Sequence, residues 1–128
     1  MKLLIVEDSV PVRECMIRFL DCCCQVERVC VAGTLQEAIE SIHREQPHLV
    51  ILDVQLPDGN SIDVIGRFKQ IAPNMLIAMC TNDVSDSARA RSFLAGADWF
   101  FDKFFEFEKM LDVVQQLIDV EKSISVRF

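Results

Sequence analysis

The chain has 128 residues, 51% of them hydrophobic, with 20 acidic against 13 basic residues and a net charge of −7. That length suits one domain burying roughly two-thirds of its unfolded surface, and the acidic balance argues against direct nucleic-acid binding, which needs clustered positive charge. No apolar run approaches the ~20 residues that cross a bilayer. Met1-Lys2 leads straight into Leu3-Leu4-Ile5-Val6, which is not a signal-peptide pattern, so the expectation is a cytoplasmic protein without membrane insertion.

Leu3 to Val6 reads as a first strand, closed by Glu7-Asp8-Ser9. Pro11 suits a first helical turn, where its missing N–H costs nothing. Val12, Cys15, Met16, Phe19 and Leu20 recur at helical spacing, which predicts a helix over 10–23. Val26 to Val31 is the second strand. Thr34-Leu35-Gln36-Glu37 is a capping box opening a helix with Leu35, Ala38, Ile39 and Ile42 inward, stopped by Pro47. Leu49-Val50-Ile51-Leu52 has no polar face and predicts a strand buried on both sides, the habit of a parallel sheet. It delivers Asp53 at its carboxyl end, ahead of a Pro57-Asp58-Gly59 turn.

Asn60 or Ser61 caps the next helix, through about Ile71. Met75 to Cys80 is the fourth strand and delivers Thr81; Asp83 or Ser85 caps a helix to about Ala95, with Gly96 at its end. Trp99-Phe100-Phe101 forms the fifth strand, ending in Asp102-Lys103, and a last helix runs from about Glu106 to Val120. Five strand–helix alternations with short loops define an α/β fold with a parallel sheet. The common doubly wound, flavodoxin-like order for it is 2-1-3-4-5, whose switch point lies between strands 1 and 3. The expectation is a domain over residues 1–121 and a tail over 122–128, a tail too short to fold as an effector.

Six cysteines fit no metal-ligand spacing, since Cys22, Cys23 and Cys24 are consecutive and Cys15, Cys30 and Cys80 stand apart. They read as small buried hydrophobes in a reducing compartment, the alternative being one exposed, oxidisable thiol among the adjacent three.

Glu7, Asp8 and Asp53 converge at the switch point. At ~5 Å and an effective dielectric of 20, each like pair costs about 3 kcal/mol, so the cluster takes up protons or holds a cation, and oxygen-only ligands suit Mg²⁺. Lys103 and Thr81 on the same edge complete a set that makes sense around an anion.

Glu7-Asp8, Asp53 with Leu56-Pro57-Asp58-Gly59, Thr81 and Lys103, in that order along nearly the whole chain, resemble the receiver domain of two-component response regulators. The resemblance implies that Asp53 accepts a phosphoryl group from a sensor histidine kinase or phosphotransfer protein. It implies Mg²⁺ held by Glu7, Asp8, Asp53 and the main-chain carbonyl of Gln55, and Lys103 paired with the carboxylate. It also implies a switch made of Thr81 and Phe100, reshaping the face of helix 4, strand 5 and helix 5 for a downstream target or a homodimer. The chain would then be a stand-alone phosphoacceptor that promotes its own phosphorylation and dephosphorylation and is otherwise no enzyme. Rival classes of like topology are a small aspartyl-nucleophile phosphatase and a flavin-binding module. The first usually needs a second acid where Gln55 stands, and the second a phosphate-cradling loop where Glu7-Asp8 would repel.

Departures from the pattern stand out. Phe104 follows Lys103, where many receivers have proline with a cis bond; cis before a non-proline residue costs ~3 kcal/mol, so the bond is either strained or trans. Asn82 replaces a small residue, so Gln55, Asn82 and Asp83 are expected to set access and phosphoryl lifetime. Six aromatics lie within residues 99–107, too many for one short strand, and an exposed apolar patch on the output face is expected.

Overall fold

The structure is a computed structural model and describes residues 1–126. Five parallel strands, β1 (Lys2–Val6), β2 (Arg28–Ala32), β3 (Leu49–Leu52), β4 (Leu76–Thr81) and β5 (Trp99–Asp102), form one sheet in the order β2-β1-β3-β4-β5. This is the 2-1-3-4-5 order expected, with β1 and β3 adjacent at the switch point. The helices are α1 (Val10–Cys23), α2 (Leu35–Glu45), α3 (Ile65–Ile71), α4 (Asp86–Ala95) and α5 (Phe107–Val126).

Alternation along each strand sends side chains into two cores. Leu4, Val6, Val50, Leu52, Ile77 and Met79 enter the layer shared with α2, α3 and α4. Leu3, Ile5, Leu49, Ile51, Ala78 and Cys80 enter the layer shared with α1 and α5. The aromatic strand divides the same way, Phe100 into the first core and Phe101 into the second. Burying both faces is why β3 is uniformly aliphatic.

The caps explain the boundaries. Ser9 accepts a hydrogen bond from the Val12 N–H and Pro11 sits in the first turn of α1. Thr34 caps α2 by accepting from the Glu37 N–H at 3.1 Å, but the Glu37 carboxylate takes the Gly33 N–H at 2.7 Å, one residue before the expected partner. Gln46 ends α2 in the left-handed region, φ 47°, before Pro47 is reached. Ser85 caps α4 through the Ala88 N–H, and Asp83 supports that cap from behind by accepting from the Ser85 hydroxyl at 2.9 Å.

Three differences from the sequence reading have local causes. A short antiparallel ladder pairs Gln55–Leu56 with Gly59–Asn60, because the Pro57-Asp58 corner folds the chain back on itself with Gly59 at φ 149°. Asn60 supplies the cap and Ser61 opens a 3₁₀ turn through Val64, so α3 begins only at Ile65. Helix α5 continues to Val126, beyond the expected end near Val120, and the last part of the expected tail lies outside the described residues.

Among the cysteines, Cys24 and Cys80 are buried, whereas Cys22 and Cys23 are exposed at the end of α1, contrary to the buried reading. The buried positions of α1 are Met16 and Leu20, a stripe that ends before Cys22 and Cys23. No helix among the described residues is long and apolar enough to cross a membrane.

Candidate functional site

The parallel ladders run one residue past the strands, and those extra residues build the site. The Glu7 N–H donates to the Ala32 carbonyl at 3.0 Å, the Asp53 N–H to Val6 at 3.1 Å, and the Lys103 N–H to Thr81 at 2.9 Å. Backbone hydrogen bonds therefore hold Glu7, Asp53 and Lys103 at the carboxyl edge of the sheet, each as rigidly as a strand residue.

The side chains meet there. Lys103 Nζ donates to Asp53 Oδ2 at 2.7 Å and to Glu7 Oε2 at 3.0 Å. Asp53 is 9% exposed and Lys103 8% exposed. Asp8 is exposed, and one oxygen each of Glu7, Asp8 and Asp53 lie within 4.8 Å of one another. The buried Thr81 hydroxyl stands on the same edge and accepts the Asp83 N–H at 3.1 Å.

One ammonium faces three carboxylates, so the cluster carries excess negative charge. Burial, followed by its hydrogen bond to Asp53, pushes Glu7 up to about 7, against the opposing pull of Lys103. Burial pushes Asp53 up as well, but the bonds from Glu7, Lys103 and Thr81 and the charge of Lys103 outweigh it, holding Asp53 below its ordinary value. Lys103 loses by burial and gains more from its two carboxylates, ending above the ordinary lysine value. The two buried acids are therefore pushed apart, Asp53 toward its charged form and Glu7 toward its protonated one. Cys80, beside them, is pushed up to about 12 by burial and stays a thiol.

Three oxygen donors of this kind fit a hard divalent cation with open positions for water and phosphate.

Gln55 is exposed on the first strand of the short ladder. Asn82 and Asp83 are exposed on the loop before α4, and Asp83 is committed to the turn that caps it. Phe100 is turned inward, 6% exposed, under the Arg89 guanidinium.

Among the described residues no peptide bond is cis, so Lys103-Phe104 is trans. The turn is held by Asp102, whose Oδ1 accepts the N–H groups of Phe104 at 2.9 Å and Phe105 at 3.1 Å. Those two rings are 71% and 88% exposed. Both lie near Phe19 of α1, and Phe104 lines with it a groove of about 340 Å³ that Lys103 also borders. The exposed aromatic patch thus faces the α1–α5 side, because the turn carries both residues past the end of β5.

Two contributors were not singled out from the sequence. The fully buried Ser61 hydroxyl donates to the Asp53 carbonyl at 2.6 Å, fixing the backbone behind the acid. Arg13 Nη1 donates to the Glu7 carbonyl at 3.3 Å across Gly33, where a Cβ would stand 3.1 Å from that nitrogen. In the sequence Ser61 offers itself only as a candidate cap, a serine directly after a cap-competent asparagine.

The sequence pattern of the response regulator receiver domain matches residues 3–115. The DNA-binding transcriptional activator DevR/DosR of Mycobacterium tuberculosis is 30% identical over 99 residues, 77% of this chain and 46% of that protein. Response regulator MprA of Mycobacterium leprae is 28% identical over 134 residues, covering 100% of this chain and 58% of that protein. This chain therefore spans about half the length of these relatives.

Among solved structures, the CheY-like receiver domain protein of Methanospirillum hungatei superposes with a TM-score of 0.83 at 24% identity, covering 95% of this chain and 96% of that one. DrrB of Thermotoga maritima gives 0.80 at 27% identity over 94% of this chain and 53% of that one. This chain belongs to the response regulator receiver domain family. Receivers are generally phosphoacceptor switches of two-component systems rather than classic enzymes, and they generally bind Mg²⁺ at an acidic pocket. The family match decides against the phosphatase and flavin-module alternatives.

Proposed function

We propose that Asp53 is the phosphoacceptor of this receiver, and that it takes its phosphoryl group from the phosphohistidine of a sensor histidine kinase or phosphotransfer protein. The observation that carries the reading is the Lys103 ammonium, which bonds Asp53 and Glu7 together at the sheet edge with an oxygen of Asp8 in reach. An Asp53 carboxylate oxygen attacks phosphorus in line, the P–N bond to the imidazole breaks, and an acyl phosphate remains on Asp53. Lys103 neutralises charge on the transferred group, and the Thr81 hydroxyl bonds one of its oxygens. Attack by water on phosphorus reverses the modification.

Glu7, Asp8, Asp53 and the Gln55 carbonyl would hold Mg²⁺, which when bound supplies charge neutralisation for two anions brought together. The inward Phe100 and the Thr81 hydroxyl form the switch. Each contact to a phosphoryl oxygen exists in only one arrangement of the loop before α4, so phosphorylation shifts a population. The α4–β5–α5 face then binds a downstream target or a second copy, in the cytoplasm.

Incubation with Mg²⁺ and acetyl phosphate tests the assignment: the native chain gains the mass of one phosphoryl group and Asp53→Asn does not. Equal labelling of both would overturn it. Gln55, Asn82 and Asp83 border the opening and set its access. Asn82→Ala is expected to label faster from acetyl phosphate, and equal rates would remove Asn82 from that role.

A further inference from the structure

The aromatic that moves in the proposed switch has a neighbour with no assigned role. Arg89 lies on α4, and its guanidinium carbon is 5.7 Å from the Phe100 ring centroid and 5.5 Å from that of Phe93. Phe100 is buried and Phe93 is 41% exposed, so the cation roofs one ring at the surface and the other beneath it. Among the described residues Arg89 makes no ion pair within 4.0 Å. It is the faces of two rings that hold it, although its charge also reaches Glu106, just before α5. One side chain thereby connects α4, β5 and the start of α5.

We propose that Arg89 is a positioning residue for the switch, holding Phe100 inward by stacking on its face and so favouring the arrangement in which Thr81 bonds the group on Asp53. The inference rests on the reading of Phe100 and Thr81 given above. For Phe100 to turn outward, the cation must give up a contact made with the inward ring. A cation–π contact near the surface weights that state roughly two- to five-fold. A ligand that binds the inward arrangement better loses apparent affinity in proportion to the lost population.

The test uses the full chain with Mg²⁺ and titrated beryllofluoride, a phosphoryl mimic. Half-saturation is read from the rise in Tm and from emission of Trp99, the single tryptophan, next to Phe100 on β5. Arg89→Ala and Arg89→Met are expected to raise the half-saturation concentration roughly two- to five-fold, and Arg89→Lys to stay closer to the native value. Arg89 is exposed, so all three variants should fold, which the unliganded Tm checks. If Arg89→Ala titrates as the native chain does, or Arg89→Met matches native where Arg89→Lys does not, the cationic role is overturned. Labelling by acetyl phosphate separates this failure from the larger one: no Asp53-dependent labelling of the native chain overturns the receiver assignment of the site itself.

Discussion

Lys103 Nζ sits 2.7 Å from Asp53 Oδ2 although the two residues are 50 positions apart in the chain. Neither chooses its place. Asp53 is held by a ladder bond to β1 and Lys103 by one to β4, so the pair is a product of strand order and register.

Breaking that pair from the lysine side should be costly. Lys103→Met leaves Glu7 and Asp53 buried next to each other, and removing one partner of a buried ion pair costs about 3 kcal/mol. Asp53→Asn removes a surplus negative charge while Glu7 still engages Lys103, so its stability should match or exceed native. Urea unfolding near neutral pH in metal-free buffer checks both.

Glu7 gives the stability a recognisable pH dependence. Its value rises from 4.5 to about 7 on folding, so the folded state binds the proton more tightly. Its contribution is complete below 4.5, falls as pH rises from there to about 7, and is flat above, a loss of roughly 3 kcal/mol. Asp53, shifted down, works oppositely: its contribution is present above the unfolded aspartate value and is lost only as pH falls through the lower folded one. In metal-free buffer the native chain should therefore lose stability between about pH 5 and pH 7, and Glu7→Gln should flatten that slope. Denaturant midpoints across the range measure it.

Ser61→Ala removes the 2.6 Å hydrogen bond to the Asp53 carbonyl without creating a large void. A buried acceptor left unpaired costs roughly 1–3 kcal/mol. Beryllofluoride affinity should fall too, because the residue bearing the acid loses its backing; equal affinity would confine Ser61 to folding.

The two candidate caps of α4 can be told apart. Ser85→Ala removes the group that accepts the Ala88 N–H and should cost about 1 kcal/mol, whereas Asp83→Ala, a support behind that cap, should cost less. Thermal melts of the two variants decide the order.

What was legible in the sequence follows from how local each cause is. The four aliphatics before Asp53 fix a buried strand by themselves, and strand alternation with short loops fixes the sheet order, so the meeting of Glu7, Asp53, Thr81 and Lys103 could be read from spacing and from resemblance. Ser61 could not, because its role depends on a carbonyl eight positions earlier that the short ladder brings alongside. Nor could the direction of Phe104 and Phe105, which is set by Asp102 accepting their N–H groups in a turn that proline would have formed differently. Arg89 was invisible for the same reason: a cation over two rings from different elements leaves no periodic mark in the chain.

The division of each strand between two cores carries a consequence for how this domain can vary. Sliding β3 by a single position would exchange Ile51 with Leu52 across the sheet and swing Asp53 to the wrong side of the crevice. The greasy interior therefore acts as the gunsight of the acid, and the outer faces of α1, α4 and α5 stay at liberty to diverge for new partners while the aim is preserved.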